Sequence, residues 1–110
     1  KLGVAVTEAL CARGELEGDI EGLHVTTSGE SWFQHLGIQV EELRAKRRPL
    51  TRACLDWSER KPHLAGALGA ALTANWFERG WLVRVRATRA VRLTDRGRNG
   101  MRDRLGLRLI

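Results

Sequence analysis

The chain has 110 residues, of which 43% are hydrophobic, and a formal net charge of +6. This length supports one hydrophobic core or two small units that share an interface. No apolar run approaches the roughly 18 residues that a membrane-spanning helix needs, so we expect no membrane partner. The two cysteines, Cys11 and Cys54, lack CxxC spacing. Their number argues against a disulfide framework or a self-contained zinc finger, and it favours a reducing, cytoplasmic setting.

An internal repeat organises the sequence. The stretch from Leu2 to Gly37 recurs from Leu68 to Gly106, at an offset that grows from 66 to 69 residues. The changes of offset fall between predicted elements, where loops tolerate insertions. A repeat defines the unit of folding, so we expect a first copy over residues 1–43 and a second over residues 44–110. The first copy lacks the start of its first helix, and we expect it to be truncated at its N-terminus.

The sequence of the first copy predicts a helix, a hairpin and a second helix. Gly14 ends a helix whose apolar stripe has helical spacing, at Leu2, Val6 and Leu10. The segment from Leu16 to Val25 predicts a short hairpin. A capping box with Thr27 as N-cap and Glu30 three residues later then opens the second helix.

The segment between the copies predicts further helices. Val40 to Arg47 is typical of a short helix broken by Pro49, and Leu50 to Trp57 of another. The residues from Ser58 onward, with Pro62 near the first helical position, predict the start of a long helix.

The second copy repeats the plan with a longer hairpin. Its long helix carries an apolar stripe at Leu64, Leu68, Leu72 and Trp76. Gly80 ends this helix, and alternating valines and arginines from Val83 to Leu93 predict a half-buried hairpin. Thr94 or Asp95 caps a last helix that runs toward Leu105. We therefore predict an α+β, mostly helical chain of two tandem winged-helix-like units with small β-hairpin wings.

Charge is distributed unevenly along the chain. Residues 1–43 carry two bases against eight acids, a net charge of −6, whereas residues 44–78 carry +4 and residues 79–110 carry +8. A basic face suits an anionic partner such as DNA. Lys46 and seven arginines are the candidates for phosphate contacts. The arginines are Arg47, Arg48, Arg52, Arg84, Arg86, Arg89 and Arg92. The alternative is an arginine-rich surface that contacts only solvent.

Cys54 and His63 are candidates for a sensing site. They lie nine residues apart, and if the intervening turn folds back, a thiolate and an imidazole can meet as ligands of a soft metal ion or as a site for a thiol-reactive effector. Two ligands do not close a metal site. The alternative is a cysteine that packs as a small hydrophobe and a histidine held by structural hydrogen bonds.

Three tryptophans cluster in the second copy. Trp57, Trp76 and Trp81 can line an apolar pocket for a small molecule, because each combines a large ring with one N–H group. The alternative is that they fill the core between helix and hairpin.

The chain resembles a known family over nearly its whole length, most specifically in the second copy. The segment from Ala53 to Leu72, followed by the Arg-Gly-Trp-Leu motif that starts at Arg79 and the Val-Arg-Leu-Thr motif that starts at Val91, is similar to the C-terminal portion of bacterial ArsR-like (ArsR/SmtB-type) winged-helix regulators. The resemblance implies the effector-sensing and dimerisation region of a repressor, acting as a homodimer, with an N-terminal DNA-reading domain that is absent from this chain. Proteins of this kind sense metals and thiols, but their familiar cysteine pair is missing here.

The sequence bears on two other classes of function. A stand-alone basic winged-helix module that binds nucleic acid directly is the alternative to the regulatory region. Catalytic motifs such as a nucleophile elbow, a phosphate-binding glycine loop or HExxH do not occur in the sequence, so we do not expect an enzyme.

Overall fold

The computed structural model describes residues 2–19, 21–56 and 61–109. Within these ranges the chain forms five helices and six strands. No helix in them is both long enough and apolar enough to cross a membrane. In chain order the elements are α1 (Leu2–Arg13), β1 (Leu16–Asp19), β2 (Gly22–Val25), α2 (Thr27–His35), α3 (Val40–Arg44), β3 (Arg52–Asp56), β4 (Lys61–Ala65), α4 (Gly66–Glu78), β5 (Leu82–Arg84), β6 (Val91–Leu93) and α5 (Asp95–Leu105).

The strands form three separate antiparallel hairpins, β1–β2, β3–β4 and β5–β6. The first and third hairpins occur where the sequence predicted them, each between a helix that ends at a glycine and a helix with a threonine cap. The order helix, hairpin, helix therefore occurs twice, as α1–β1–β2–α2 and as α4–β5–β6–α5. The element content is α+β, as expected.

The same capping arrangement closes both of these hairpins. Thr26 caps α2 and Thr94 caps α5, and each hydroxyl accepts a 3.0 Å bond from the backbone N–H three residues later. Each hydroxyl also donates to the carbonyl of the glycine after the preceding helix, Gly14 at 2.5 Å and Gly80 at 2.7 Å. The prediction of Thr94 is confirmed. The prediction of Thr27 was wrong by one residue, because the side chain of Thr26 reaches the free N–H groups of the first turn.

Buried side chains from both predicted copies form one continuous cluster. At its edge, Asn75 Nδ2 and Arg79 Nη2 near the end of α4 donate to the carbonyl of Leu36, which caps the end of α2, at 2.8 and 3.0 Å. The two halves of the chain thus share one core and a polar contact. The cluster consists of Val6, Leu10, Leu16, Phe33, Leu36, Ile38, Val40, Leu68, Leu72, Trp76, Trp81, Leu82, Met101 and Leu105.

The segment before α4 differs from the prediction. The helix predicted over Leu50 to Trp57 is wrong within its described part, because residues 52–56 form β3, and the predicted helix start around Pro62 is wrong, because residues 61–65 form β4. The short helix predicted from Val40 to Arg47 ends at Arg44. Trp57 and Ser58 lie outside the described residues.

Nonlocal hydrogen bonds explain where α4 begins. The N–H groups of Ala67 and Leu68 donate to the carbonyls of Pro49 and Leu50 at 2.9 and 2.8 Å. These carbonyls replace the side-chain cap that the first turn otherwise needs. Leu64 is consequently a strand residue, and its N–H donates to Thr7 Oγ1 of α1 at 2.8 Å.

Candidate functional site: a basic groove along α4

An open groove of about 910 Å³ runs along the outer face of α4. Small residues of α4 form its floor, which lets another molecule approach the helix backbone closely. Three residues singled out from the sequence line the groove together: Arg48, His63 and Arg84. The floor residues are Gly66, Gly69, Ala70 and Ala74.

An aromatic contact positions Arg84 at this groove. Its guanidinium carbon lies 4.9 Å from the ring centroid of Phe77 on α4, a distance at which the cation is attracted to the ring face. Phe77 was not predicted as a functional residue, because the six residues between it and Arg84 cross a helix end and follow no periodic pattern.

The strand register divides the arginines of the third hairpin. Arg84 lies opposite Val91, whereas Arg92 lies opposite Val83. Because alternate residues of a strand point to opposite faces, Arg84 and Arg92 lie on different faces of the hairpin. Arg86 and Arg89 are exposed in its turn, so a partner on the α4 side meets Arg84 first.

The candidate arginines are not neutralised within the part of the chain that the structure describes. None of the seven forms a salt bridge there. All seven are exposed, and they lie in the loop before β3, in β3 itself and in the third hairpin. Other arginines do pair with carboxylates: Arg44 with Glu30 and Glu41, Arg98 with Asp95, and Arg102 with Asp103. The candidate set therefore retains its positive charge for an external anion.

Cys54 and His63 lie directly opposite each other in the β3–β4 register. Opposite residues of an antiparallel pair place their side chains on the same face, and both residues are half-buried. The described residues contain no group of three His, Cys, Asp or Glu side chains that could hold a metal ion. Metal binding by this pair thus needs further ligands. The other thiol, Cys11, has a raised pKa because of burial and the nearby charge of Glu8.

Trp76 and Trp81 pack together inside the molecule. Their ring centroids are 5.8 Å apart with an interplanar angle of 26°, and both side chains are buried. Trp81 also packs against α5 at Gly100. Trp57, the third member of the predicted set, lies outside the described residues.

The described residues form a small α+β fold in which the groove carries Arg48 and Arg84 without a salt bridge among those residues, together with the acidic Glu78. Exposed arginines of this kind attract anionic partners. The chain is 41% identical over 108 residues, 98% of its length, to the uncharacterized HTH-type transcriptional regulator YdfF of Bacillus subtilis (strain 168). It spans about half (48%) of the length of that protein. No family model and no solved structure matches the chain. The similarity is to a protein described as a transcriptional regulator, and the ArsR-type resemblance stays a prediction.

Proposed function

We propose that this chain is the effector-sensing and dimerisation region of a DNA-binding transcriptional regulator of repressor type. The observation that carries the proposal is the 41% identity to a transcriptional regulator over nearly the whole chain. In this proposal the DNA-reading domain lies outside the region studied, and the protein acts in the cytoplasm. The ArsR-type resemblance of residues 53–72 supports the same assignment.

The composition of α4 supports a role other than base reading. A recognition helix presents long polar side chains to the edges of the bases. The outer face of α4 carries Ala70, Thr73 and Ala74, all exposed, and its one long polar side chain among the described groove residues is the acidic Glu78 at the end of the helix, which repels phosphate. We therefore assign α4 to protein contacts, and the arginines around it to phosphate contacts.

The proposal includes a homodimer of chains that each contain two copies of one winged-helix-like unit. The first copy, residues 1–43, has a net charge of −6, and the second, residues 44–110, has +4 plus +8, or +12. Opposite charges favour docking of the first copy of one molecule on the second copy of another.

Salt titration of DNA binding tests the phosphate contacts. We expect the chain to bind short duplexes of unrelated sequence with similar, weak affinity, in the range of about 10⁻⁴ to 10⁻⁶ M at physiological salt. Replacing Arg48 and Arg84 together by glutamine should reduce the slope of log K against log salt by about 0.9 for each lost phosphate contact.

The matched control replaces Arg98 and Arg102 by glutamine. This change removes the same charge, but both residues already pair with carboxylates and line a different surface depression. An equal loss of slope in the control would show that only total charge matters and would contradict a role for the groove.

The alternative is a stand-alone basic winged-helix module that binds nucleic acid directly. The charge retained by the candidate arginines favours it. Under this alternative the chain alone binds one DNA sequence tightly and discriminates against others by at least about 10³-fold. That result would overturn the assignment as a regulatory region.

Sensing through Cys54 and His63 is the second part of the proposal, supported by their direct pairing across β3–β4. We expect protein purified without chelator to contain a soft metal ion such as Zn²⁺, and Cys54→Ser to lose it. Cys11→Ser is the matched control and should retain the metal. Metal-free wild-type protein, with a DNA affinity that does not respond to thiol reagents, would refute this part.

A further inference from the structure

We propose that a cleft between α1, β4, α4 and β5 binds a small, mainly apolar molecule that carries a hydrogen-bond acceptor. The cleft has a volume of about 120 Å³ and is partly enclosed. Among the described residues, its lining contains no ionisable side chain, which argues against a charged ligand held by an ion pair with them. Its apolar walls come from Leu2, Val6, Leu64, Leu72, Trp76 and Leu82.

Trp76, which lines the cleft, carries an unsatisfied polar group. Its side chain is 4% exposed, and within the described part of the chain its Nε1 is a buried donor with no hydrogen-bond partner. Buried donors are almost always paired in folded proteins. An acceptor on a bound molecule satisfies this N–H group.

The other polar groups of the cleft already use their protons. Thr7 Oγ1 donates to the carbonyl of Gly3 at 2.7 Å and accepts from the N–H of Leu64 at 2.8 Å. Thr73 Oγ1 donates to the carbonyl of Gly69 at 2.9 Å. Among the described lining residues, the indole N–H of Trp76 is therefore the side-chain donor left without an acceptor, and a ketone, ether or nitrile that reaches it would fit this chemistry.

The volume sets the size of the ligand. An engineered apolar cavity of about 150 Å³ binds benzene, so a cleft of about 120 Å³ accepts a single small ring. The lining joins α1 of the first copy to α4 and β5 of the second, and Gly3, Leu64 and Thr73 also line the basic groove. An effector role for this ligand rests on the proposed regulatory function, whereas its binding does not.

Two probes of equal size test the binding. Cyclohexanone carries a carbonyl acceptor, and methylenecyclohexane has the same shape without one. Titrated into ¹⁵N-labelled chain, cyclohexanone should move the indole Nε1–H resonance of Trp76 downfield in a saturable manner, and methylenecyclohexane should not. Trp76→Phe assigns the resonance and should weaken cyclohexanone binding about three- to tenfold more than methylenecyclohexane binding.

A second variant keeps the test independent of the stability of Trp76→Phe. Leu2 is half-buried at the cleft, and Leu2→Phe should fill the cleft and weaken both probes with Trp76 unchanged. The proposal is overturned if neither probe shifts the resonance, if Leu2→Phe leaves both affinities unchanged, or if water cross-relaxation shows a water bonded to Nε1 that cyclohexanone does not displace. Saturable binding of cyclohexanone that leaves DNA affinity unaltered would support the cleft and count against its effector role.

Discussion

Gly29→Ala and Gly97→Ala are each expected to lower the free energy of unfolding by about 3 kcal/mol, at the upper end of the usual cost of overpacking. Both glycines lie in the first turn of a threonine-capped helix. A Cβ atom at Gly29 would lie 2.9 Å from the carbonyl carbon of Glu15 and closer still to its oxygen, and one at Gly97 would lie 3.0 Å from the carbonyl carbon of Trp81 and closer still to its oxygen.

These carbonyls cannot move aside independently. The Glu15 carbonyl accepts from the N–H of Thr26 at 3.1 Å, and the Trp81 carbonyl accepts from the N–H of Thr94 at 2.9 Å. A methyl group at either glycine must therefore displace the whole helix start from the hairpin. The two substitutions should have similar effects because the two sites have the same construction.

Gly37→Ala and Gly106→Ala provide matched controls. Both glycines follow the helices in question, with φ values of 92° and 68°, and a Cβ atom at either would meet nothing within 4 Å. Each should lose only about 1 to 2 kcal/mol, the cost of a left-handed conformation for a residue with a side chain. Urea unfolding of the four variants measures the difference. Equal losses in all four, or a large loss at Gly29 alone, would contradict the shared construction.

Local patterns account for the part of the fold that sequence reasoning found. Alternating valines and arginines predicted the third hairpin, and Gly80 predicted the end of α4 because a residue without a side chain adopts its φ of 75° easily. Long-range contacts account for the part it missed. The sequence of β3 has no alternation of polar and apolar residues. A contact with the first hairpin fixes its start, because Thr51, the residue before β3, donates from Oγ1 to the carbonyl of Leu23 at 2.5 Å.

The candidate site was predictable only in part for the same reason. The spacing raised the pairing of Cys54 with His63 only as a condition, since helices were predicted on both sides, and the hairpin that places the two residues opposite each other was not predicted. The arginines looked equivalent in the sequence, and only the strand register separates Arg84 from Arg92. The cleft at Trp76 was not predicted, since its walls join α1 to the consecutive elements β4, α4 and β5, which are distant from α1 in the sequence.

Gly100→Ala should lower the free energy of unfolding by about 3 kcal/mol through a contact that exists in one half of the chain only. A Cβ atom there would lie 2.5 Å from Trp81 Cη2 and closer still to two further atoms of the indole. Trp81 has little room to retreat because it stacks on Trp76. At the offsets of the repeat, Trp81 corresponds to Glu15 and Gly100 to Trp32. The larger residue of the pair therefore precedes the hairpin in the second copy, whereas in the first copy it lies in the helix after the hairpin.

A double-mutant cycle isolates this contact. In a Trp81→Leu background, Gly100→Ala should cost nothing or stabilise the protein by up to about 1 kcal/mol, because alanine favours a helix more than glycine does. The two substitutions should then be coupled by about 3 to 4 kcal/mol, at or just above the upper end of the range for residues in direct contact. Asn99→Ala, an exposed change in the same helix, controls for general effects on α5. Additive losses in urea unfolding would show that the helix shifts as a whole, and the packing of α5 on Trp81 would then not explain why glycine occupies position 100.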